Sequence, residues 1–565
     1  MVNLTYGVIE GDSVNNVHVI TSQGTDLIAT LADGTVVAYN PGDISWIMIP
    51  GLGFLYSGLV RRKNALSLLL VTLLATGCIS FQWWFWGYSL ALSPSAGSFF
   101  GDLSKFCFMG VLEDPVAATN NKQPEIVYAL YQQMFACLVP AIAIGAACER
   151  GRIFPIMIFF FAWATLVYCP LVCWIWQPKG WAAKWGVLDY AGGVPVEICS
   201  GVTGLVYSIF VGKRRGWGTP RLLFKPHNVS HVVIGTVFLW VGWIGFNGGS
   251  TFAANIKAAL AIINTNLAGA VGGLAWMFMD YRIERKWSVA GFCTGAIAGL
   301  VAITPAAGYV GMPASALIGV VAAALSNLLT SLKFKFAFDD AMDIFSCHAV
   351  SGAVGTLMTG IFAQSSVAAN DAFTQIPGGW MDRHFIQLAK QLAWVAVGGS
   401  WTFVVTYIIM FVINLIPGCQ FRASPDAEIL GVDEDQCGEF AYDYAYADRD
   451  IEHNIHCDGV QWSTASLPSP TSPKHPEGTI LEEEPKTISD KVTQQSSTTA
   501  AIPRNEPVER GRRRPESIKE AAAVAAAQKH NYNHRHHNDV ASEGEEDQSR
   551  TVVPSTSPPP AEKVQ

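Results

Sequence analysis

Two ionisable residues stand inside apolar runs long enough to cross a bilayer: Glu197 in LDYAGGVPVEICSGVTGL and His348 in DDAMDIFSCHAVSGAVGTLMTGIFA. The runs share one grammar: an Asp, seven residues, Glu or His, two residues, then Ser-Gly-x-x-Gly. The first copy places Asp189, Glu197, Ser200, Gly201 and Gly204, and the second Asp340, His348, Ser351, Gly352 and Gly355. An ionisable side chain at membrane depth is costly and marks a candidate functional site. A carboxylate and an imidazole brought together there can share and pass a proton and titrate as one unit. The plainer alternative is a buried ion pair that pins two helices.

The elements that must position these residues are apolar runs of roughly 20 residues each. They fall at about 44–62, 66–91, 124–148, 153–176, 191–212, 230–248, 257–279, 288–304, 312–332, 343–363 and 386–416, which predicts an all-α integral membrane protein with eleven spans. Basic residues set the orientation, because cytoplasmic loops are enriched in Lys and Arg. One alternate set of loops holds fifteen, from Arg61-Arg62-Lys63 to Lys335, and the other set holds six. The N-terminus is therefore expected outside and the C-terminus inside, which leaves the Asn3-Leu4-Thr5 sequon available for glycosylation at Asn3.

With this count the two copies run in opposite directions, as an inverted repeat of five plus five helices with the eleventh left over requires. Eight residues at 1.5 Å each put Glu197 about 12 Å below the outer end of helix five and His348 about 12 Å above the inner end of helix ten. In a hydrocarbon layer of about 30 Å both lie near the midplane, where repeat-built transporters place their binding sites. Gly201, Gly204, Gly352 and Gly355 suit close helix packing, which needs no further role for them.

Half of the 565 residues are hydrophobic and only 15% are charged. The net charge of −8 is uneven: residues 417–565 carry 15 Lys and Arg against 26 Asp and Glu. The acidic balance thus belongs to the tail, and nothing in it points to a nucleic acid. Twelve cysteines lack CxxC or CxxH spacing, so neither a zinc site nor a disulfide framework is indicated. Cys107 lies in an expected outer loop without an obvious partner. Residues 1–43 show no signal-peptide pattern and read as an extracellular segment. They precede a membrane domain at 44–416, a proximal cytoplasmic segment at 417–455, and a tail at 456–565 whose composition predicts disorder. In that tail Arg512-Arg513-Arg514 before Ser517 suits a kinase. The histidines at 530, 534, 536 and 537 read as composition rather than a metal site. No cofactor motif, metal spacing or nucleophile constellation supports an enzyme.

The ordered segments GLGFLYSGLVRRKN, CERGRIFP, LDYAGGVPVE, KPHN, GWIGFNGGS, TGAIAGLVAITPAAGYVG and DIFSCHAVSGAVGTLMTGIFA resemble the ammonium transporter family, the group of Amt, methylammonium permease and Rh proteins. The likeness is strongest to its fungal permease branch and runs from about Gly42 to Tyr442. It implies a homotrimer of eleven-helix protomers in the plasma membrane, each with a narrow hydrophobic pore for ammonium or ammonia, and methylammonium as a related substrate.

By the same resemblance Trp176, Phe135 and Ser250 form an outer recruitment site, and Phe135 and Phe246, with Trp243 nearby, close the pore mouth. Aromatic faces can hold ammonium by cation–π attraction while a hydroxyl accepts one of its N–H groups. Asp189 corresponds to a carboxylate near that site, and its place before a helix suits a structural N-cap. Most family members have two histidines at the centre, whereas this chain has Glu197 and His348, a variant of the fungal branch. Residues 431–442, GVDEDQCGEFAY, resemble the family's cytoplasmic regulatory segment.

Carrying an intact cation through an apolar pore incurs a large desolvation cost that neutral ammonia avoids. The expected cycle is therefore recruitment, deprotonation, passage of ammonia, and a proton relayed through Glu197 and His348, with net charge movement. Two alternatives stay open: an electroneutral ammonia gas channel, and an ammonium sensor that signals through its tail.

Overall fold

A computed structural model describes the backbone of residues 18–21, 27–30 and 36–39, and residues 47–442 apart from 122 and 220–224. The chain divides into two units, Met1–His456 and Cys457–Gln565, and every described residue lies in the first. Asn3, Ser517 and the histidines of the tail lie outside the described residues. Ahead of the helical body, β1 (His18–Thr21), β2 (Leu27–Thr30) and β3 (Val36–Tyr39) form an antiparallel meander, with His18 opposite Thr30 and Leu27 opposite Tyr39.

The body is all-helical, as expected where lipid offers no partner to a backbone N–H or C=O. Among the described residues nine helices are long and apolar enough to cross a membrane. These are α2 (Arg62–Leu92), α3 (Glu125–Ala147), α4 (Ile153–Trp185, turning after Trp176), α5 (Gly193–Val211), α6 (Val229–Gly249), α7 (Ile256–Glu284), α9 (Met312–Lys335), α10 (Phe345–Phe362) and α11 (Ile386–Leu415). Two shorter apolar helices, α1 (Met48–Leu59) and α8 (Val289–Ile303), complete the set. Every apolar run marked in the sequence holds one of them.

Helices α3 and α5 are mostly buried, while α9 and α11 keep most of their surface open. Exposed apolar side chains such as Leu328, Leu392 and Phe411 belong to those outward faces, as expected of helix surfaces that face lipid.

The loops at the end of the body where the proximal tail docks are joined by buried charges. Glu149 accepts from Arg61 and Arg214, each at 3.2 Å, and Arg214 also pairs with Asp339 at 2.9 Å. Burial would raise the Glu149 carboxyl, but the two guanidinium charges and the Arg61 N–H groups hold it down at about 2. The proximal tail adds α12 (Pro425–Leu430) and packs on this layer. Lys63 Nζ donates to the Ile429 carbonyl at 2.6 Å, and the Asp433 carboxylate accepts the N–H groups of Leu66 and Ser67 at 3.0 and 2.7 Å. A tail carboxylate thus caps the α-helical stretch of α2 that starts at Ala65, where free N–H groups favour negative charge.

Candidate functional site

The start of α5 is set by Asp189. Its carboxylate accepts the N–H groups of Gly192, Gly193 and Val194 and the indole N–H of Trp394, the last at 2.9 Å. Gly192 has φ +117°, a conformation open to glycine, and a Cβ there would strike Val196. The Gly192 carbonyl then accepts from both Val196 and Glu197, at 3.0 and 3.1 Å, so the first turn is widened into π geometry over Gly193–Ile198. Such wide turns are rare and gather at functional sites.

The second copy repeats this construction. Asp340 accepts the N–H of Phe345, five residues on, at 2.8 Å, as Asp189 accepts that of Val194 at 2.9 Å. A π turn follows over Phe345–Val350 and carries His348. The repeat is therefore one of hydrogen bonding as well as of spelling.

Helices α5 and α10 approach closely because each meets the other with a glycine. A Cβ on Gly352 would lie 2.8 Å from Glu197 Cβ, and one on Gly201 would run into the backbone N–H of Ala349. The crossing brings His348 Nδ1 to 3.0 Å from Glu197 Oε2. Glu197 is wholly buried and His348 nearly so. The other carboxylate oxygen, Oε1, has no hydrogen-bond partner among the described residues. A buried polar atom left open in this way can receive a proton or a passing donor.

The outer residues named from the sequence also converge. The Phe135 and Phe246 rings are tilted against each other at 4.5 Å between centroids, and Trp176 stands edge-on to Phe135 at 5.9 Å. Trp243 lies behind Phe246 at 5.9 Å and donates its indole N–H to Thr304 Oγ1 at 2.8 Å. Trp176 Nε1 donates to the Asp189 carbonyl at 3.3 Å, which ties the indole to the start of α5.

Ser250 Oγ and the Tyr131 hydroxyl lie 2.9 Å apart, and both reach the Phe246 carbonyl, at 2.9 and 2.7 Å. Whichever hydroxyl donates across their contact, an oxygen lone pair remains to accept from a donor in the cavity. Trp176, Phe135, Ser250 and Asp189 line one cavity of about 490 Å³, with Tyr131 and Tyr190 among its other walls.

The arrangement offers aromatic faces and hydroxyl acceptors around one cavity, two phenylalanine rings packed on each other beside them, and a buried carboxylate–imidazole pair. Tyr131 was absent from the sequence expectation although it sits one helical turn before Phe135, a spacing that signals a shared face. Trp394 and Thr304 carried no such signal, since each meets its partner only through the packing of distant helices. Among the described residues no group of His, Cys, Asp and Glu side chains could hold a metal ion, and Cys107 is a free thiol.

Residues 43–442 match the model of the Ammonium Transporter Family. Ammonium transporter 2 of Schizosaccharomyces pombe is 49% identical over 431 residues, which cover 74% of this chain and 83% of that protein. Ammonium transporter MEP2 of Saccharomyces cerevisiae is 48% identical over 411 residues, covering 71% and 82%. The crystal structure of Saccharomyces cerevisiae Mep2 superposes with a TM-score of 0.67 at 47% identity, covering 72% of this chain and 90% of that one. Candida albicans Mep2 superposes with a TM-score of 0.66 at 46% identity, covering 75% and 93%.

Proposed function

Because this chain belongs to the ammonium transporter family, we propose that it takes up ammonium across the plasma membrane and moves one net charge per cycle. The transporting unit is residues 44–416, with eleven spans in an inverted five-plus-five repeat and one extra helix, the N-terminus outside, the C-terminus inside, and three copies in the assembly. Residues 417–455 form its cytoplasmic regulatory segment, and the more distal tail carries the kinase target at Ser517.

Ammonium is held between the Trp176 and Phe135 rings while Ser250 accepts one of its N–H groups. It loses a proton there, because an intact cation cannot shed its hydration cheaply enough to pass the apolar bore. Ammonia crosses between Phe135 and Phe246, and the proton travels separately through Glu197 and His348. Potassium, similar in size, is refused because it has no proton to give up. Asp189 orients the start of α5 and the Trp176 indole, and adds negative potential without touching the substrate.

The observation that carries this reading is the 3.0 Å contact between Glu197 and His348 deep in the helical body, with one carboxylate oxygen left open. The test is the transient current evoked by an ammonium pulse on proteoliposomes of the purified protein, with a potassium pulse as control. Current with ammonium alone supports net charge movement. No current, in vesicles whose internal pH dye reports entry of ammonia, would make the protein a gas channel and the central pair a structural feature.

A further inference from the structure

A lysine sits buried in the wall of the outer vestibule, where a cation is hard to account for. Lys257 is the second residue of α7, at the helix end that carries partial positive charge and disfavours another cation. Nevertheless only 3% of its surface is exposed. Its Nζ lies 2.9 Å from Asp371 Oδ2 and 2.8 Å from Thr374 Oγ1. The ring centroids of Tyr190 and Tyr309 stand 5.7 and 5.4 Å from the same nitrogen.

A carboxylate, a hydroxyl oxygen and two aromatic faces around an ammonium nitrogen repeat the chemistry of the Trp176, Phe135 and Ser250 cluster, with a full negative charge added. Both groups line the same cavity. The cage is firmly built. Tyr190 donates its hydroxyl proton to the Asn247 carbonyl at 2.9 Å, and Asp371 Oδ1 accepts the N–H groups of Phe373 and Thr374 at 2.9 and 2.7 Å. Burial would raise the Asp371 carboxyl, but the bonds from Thr374 and Lys257 hold it down at about 2, so it carries its charge at any ordinary pH.

The geometry points to Lys257 as a specificity-determining residue: its tethered ammonium group occupies a second cation cage in the vestibule, so that a free ion is directed to Trp176. The inference rests on the vestibule being the entry for ammonium. An oxygen cage centred on a carboxylate does not select against potassium, which needs only oxygen ligands and no proton acceptors. A site of aromatic faces and one hydroxyl, whose cation must give up a proton before it passes on, does. Filling the first kind of site from within the chain leaves the second to do the sorting.

Lys257→Ala opens the cage while keeping Asp371 and Thr374. In detergent, its thermal midpoint should rise saturably with potassium chloride over N-methylglucamine chloride of equal ionic strength. The wild type and Lys257→Ala/Asp371→Asn should show no such rise. A Lys257→Ala protein that responds to potassium no more than the wild type would overturn the proposal. This arm needs no transport, so a failure of the transport reading would show separately, as a missing ammonium current in the wild type.

If Lys257→Ala does not fold, the second arm is Asp371→Asn, which leaves the lysine charge in place without its counter-ion. Its ammonium KM in proteoliposomes should rise severalfold at unchanged maximal rate, because a released cation now stands before the recruitment site. An unchanged KM would refute the cage.

Discussion

His348→Ala is the perturbation whose consequence can be worked furthest. In the wild type the imidazole is the hydrogen-bond partner of Glu197 Oε2, at 3.0 Å, and Oε1 has no partner among the described residues. The substitution strips the carboxyl group of that partner in a place wholly closed to solvent. Removing one member of a buried pair typically costs about 3–5 kcal/mol, because the remaining charge is left uncompensated. Without the imidazole the carboxyl group has no partner to exchange a proton with, so the relay is broken at this point. If the same 3–5 kcal/mol is added to the barrier for proton movement, the rate falls by roughly two to four orders of magnitude at 1.36 kcal/mol per tenfold. The ammonium-evoked current on proteoliposomes should therefore drop to background, while a pH dye inside the vesicles still reports entry of ammonia. A His348→Ala current within about tenfold of wild type, at equal protein density, would refute the reasoning, because that difference is under half the smallest cost assigned to the pair.

Ser250→Ala should raise the ammonium KM by about tenfold, the scale of one hydrogen bond to a charged group, and leave the melting temperature nearly unchanged because Tyr131 still donates to the Phe246 carbonyl. Uptake kinetics against ammonium concentration check it. Glu197→His should retain transport and shift the pH profile of the current, and an unaltered profile would show that the glutamate does not set it. Glu149→Gln tests the buried ion layer formed with Arg61 and Arg214. The Glu149 pKa is lowered in the folded state, from 4.5 to about 2, so its contribution to stability is fully present above pH 4.5 and is lost as the pH falls towards 2. The variant should be less stable by about 3–5 kcal/mol at neutral pH and lose part of the acid sensitivity between those limits, as read by thermal unfolding in detergent across pH.

Hydropathy alone located every apolar helix among the described residues, because length and apolarity are local properties of a chain that must satisfy its backbone within lipid. The repeated Asp-x7-(Glu/His)-x2-Ser-Gly-x-x-Gly spelling likewise singled out Glu197 and His348, although the wide turns that carry them begin only at Gly193 and Phe345, so each residue stands in the first turn of its helix rather than eight helical residues in. Family likeness, carried by ordered motifs, added Trp176, Phe135, Phe246, Trp243 and Ser250.

What remained for the tertiary structure was everything that joins residues far apart in the chain. Spacing shows that Gly201 and Gly352 are small, but only the crossing of α5 and α10 shows that each faces the other copy and lets Glu197 Oε2 meet His348 Nδ1. The wide turn under Glu197 depends on which carbonyl Val196 and Glu197 share, a choice made by packing rather than by composition. Trp394 reaching Asp189, and Lys257 reaching Asp371, are contacts between segments more than a hundred residues apart. No local pattern encodes such pairs, because the energy that selects them comes from the fit of whole helices and loops rather than from the residues between.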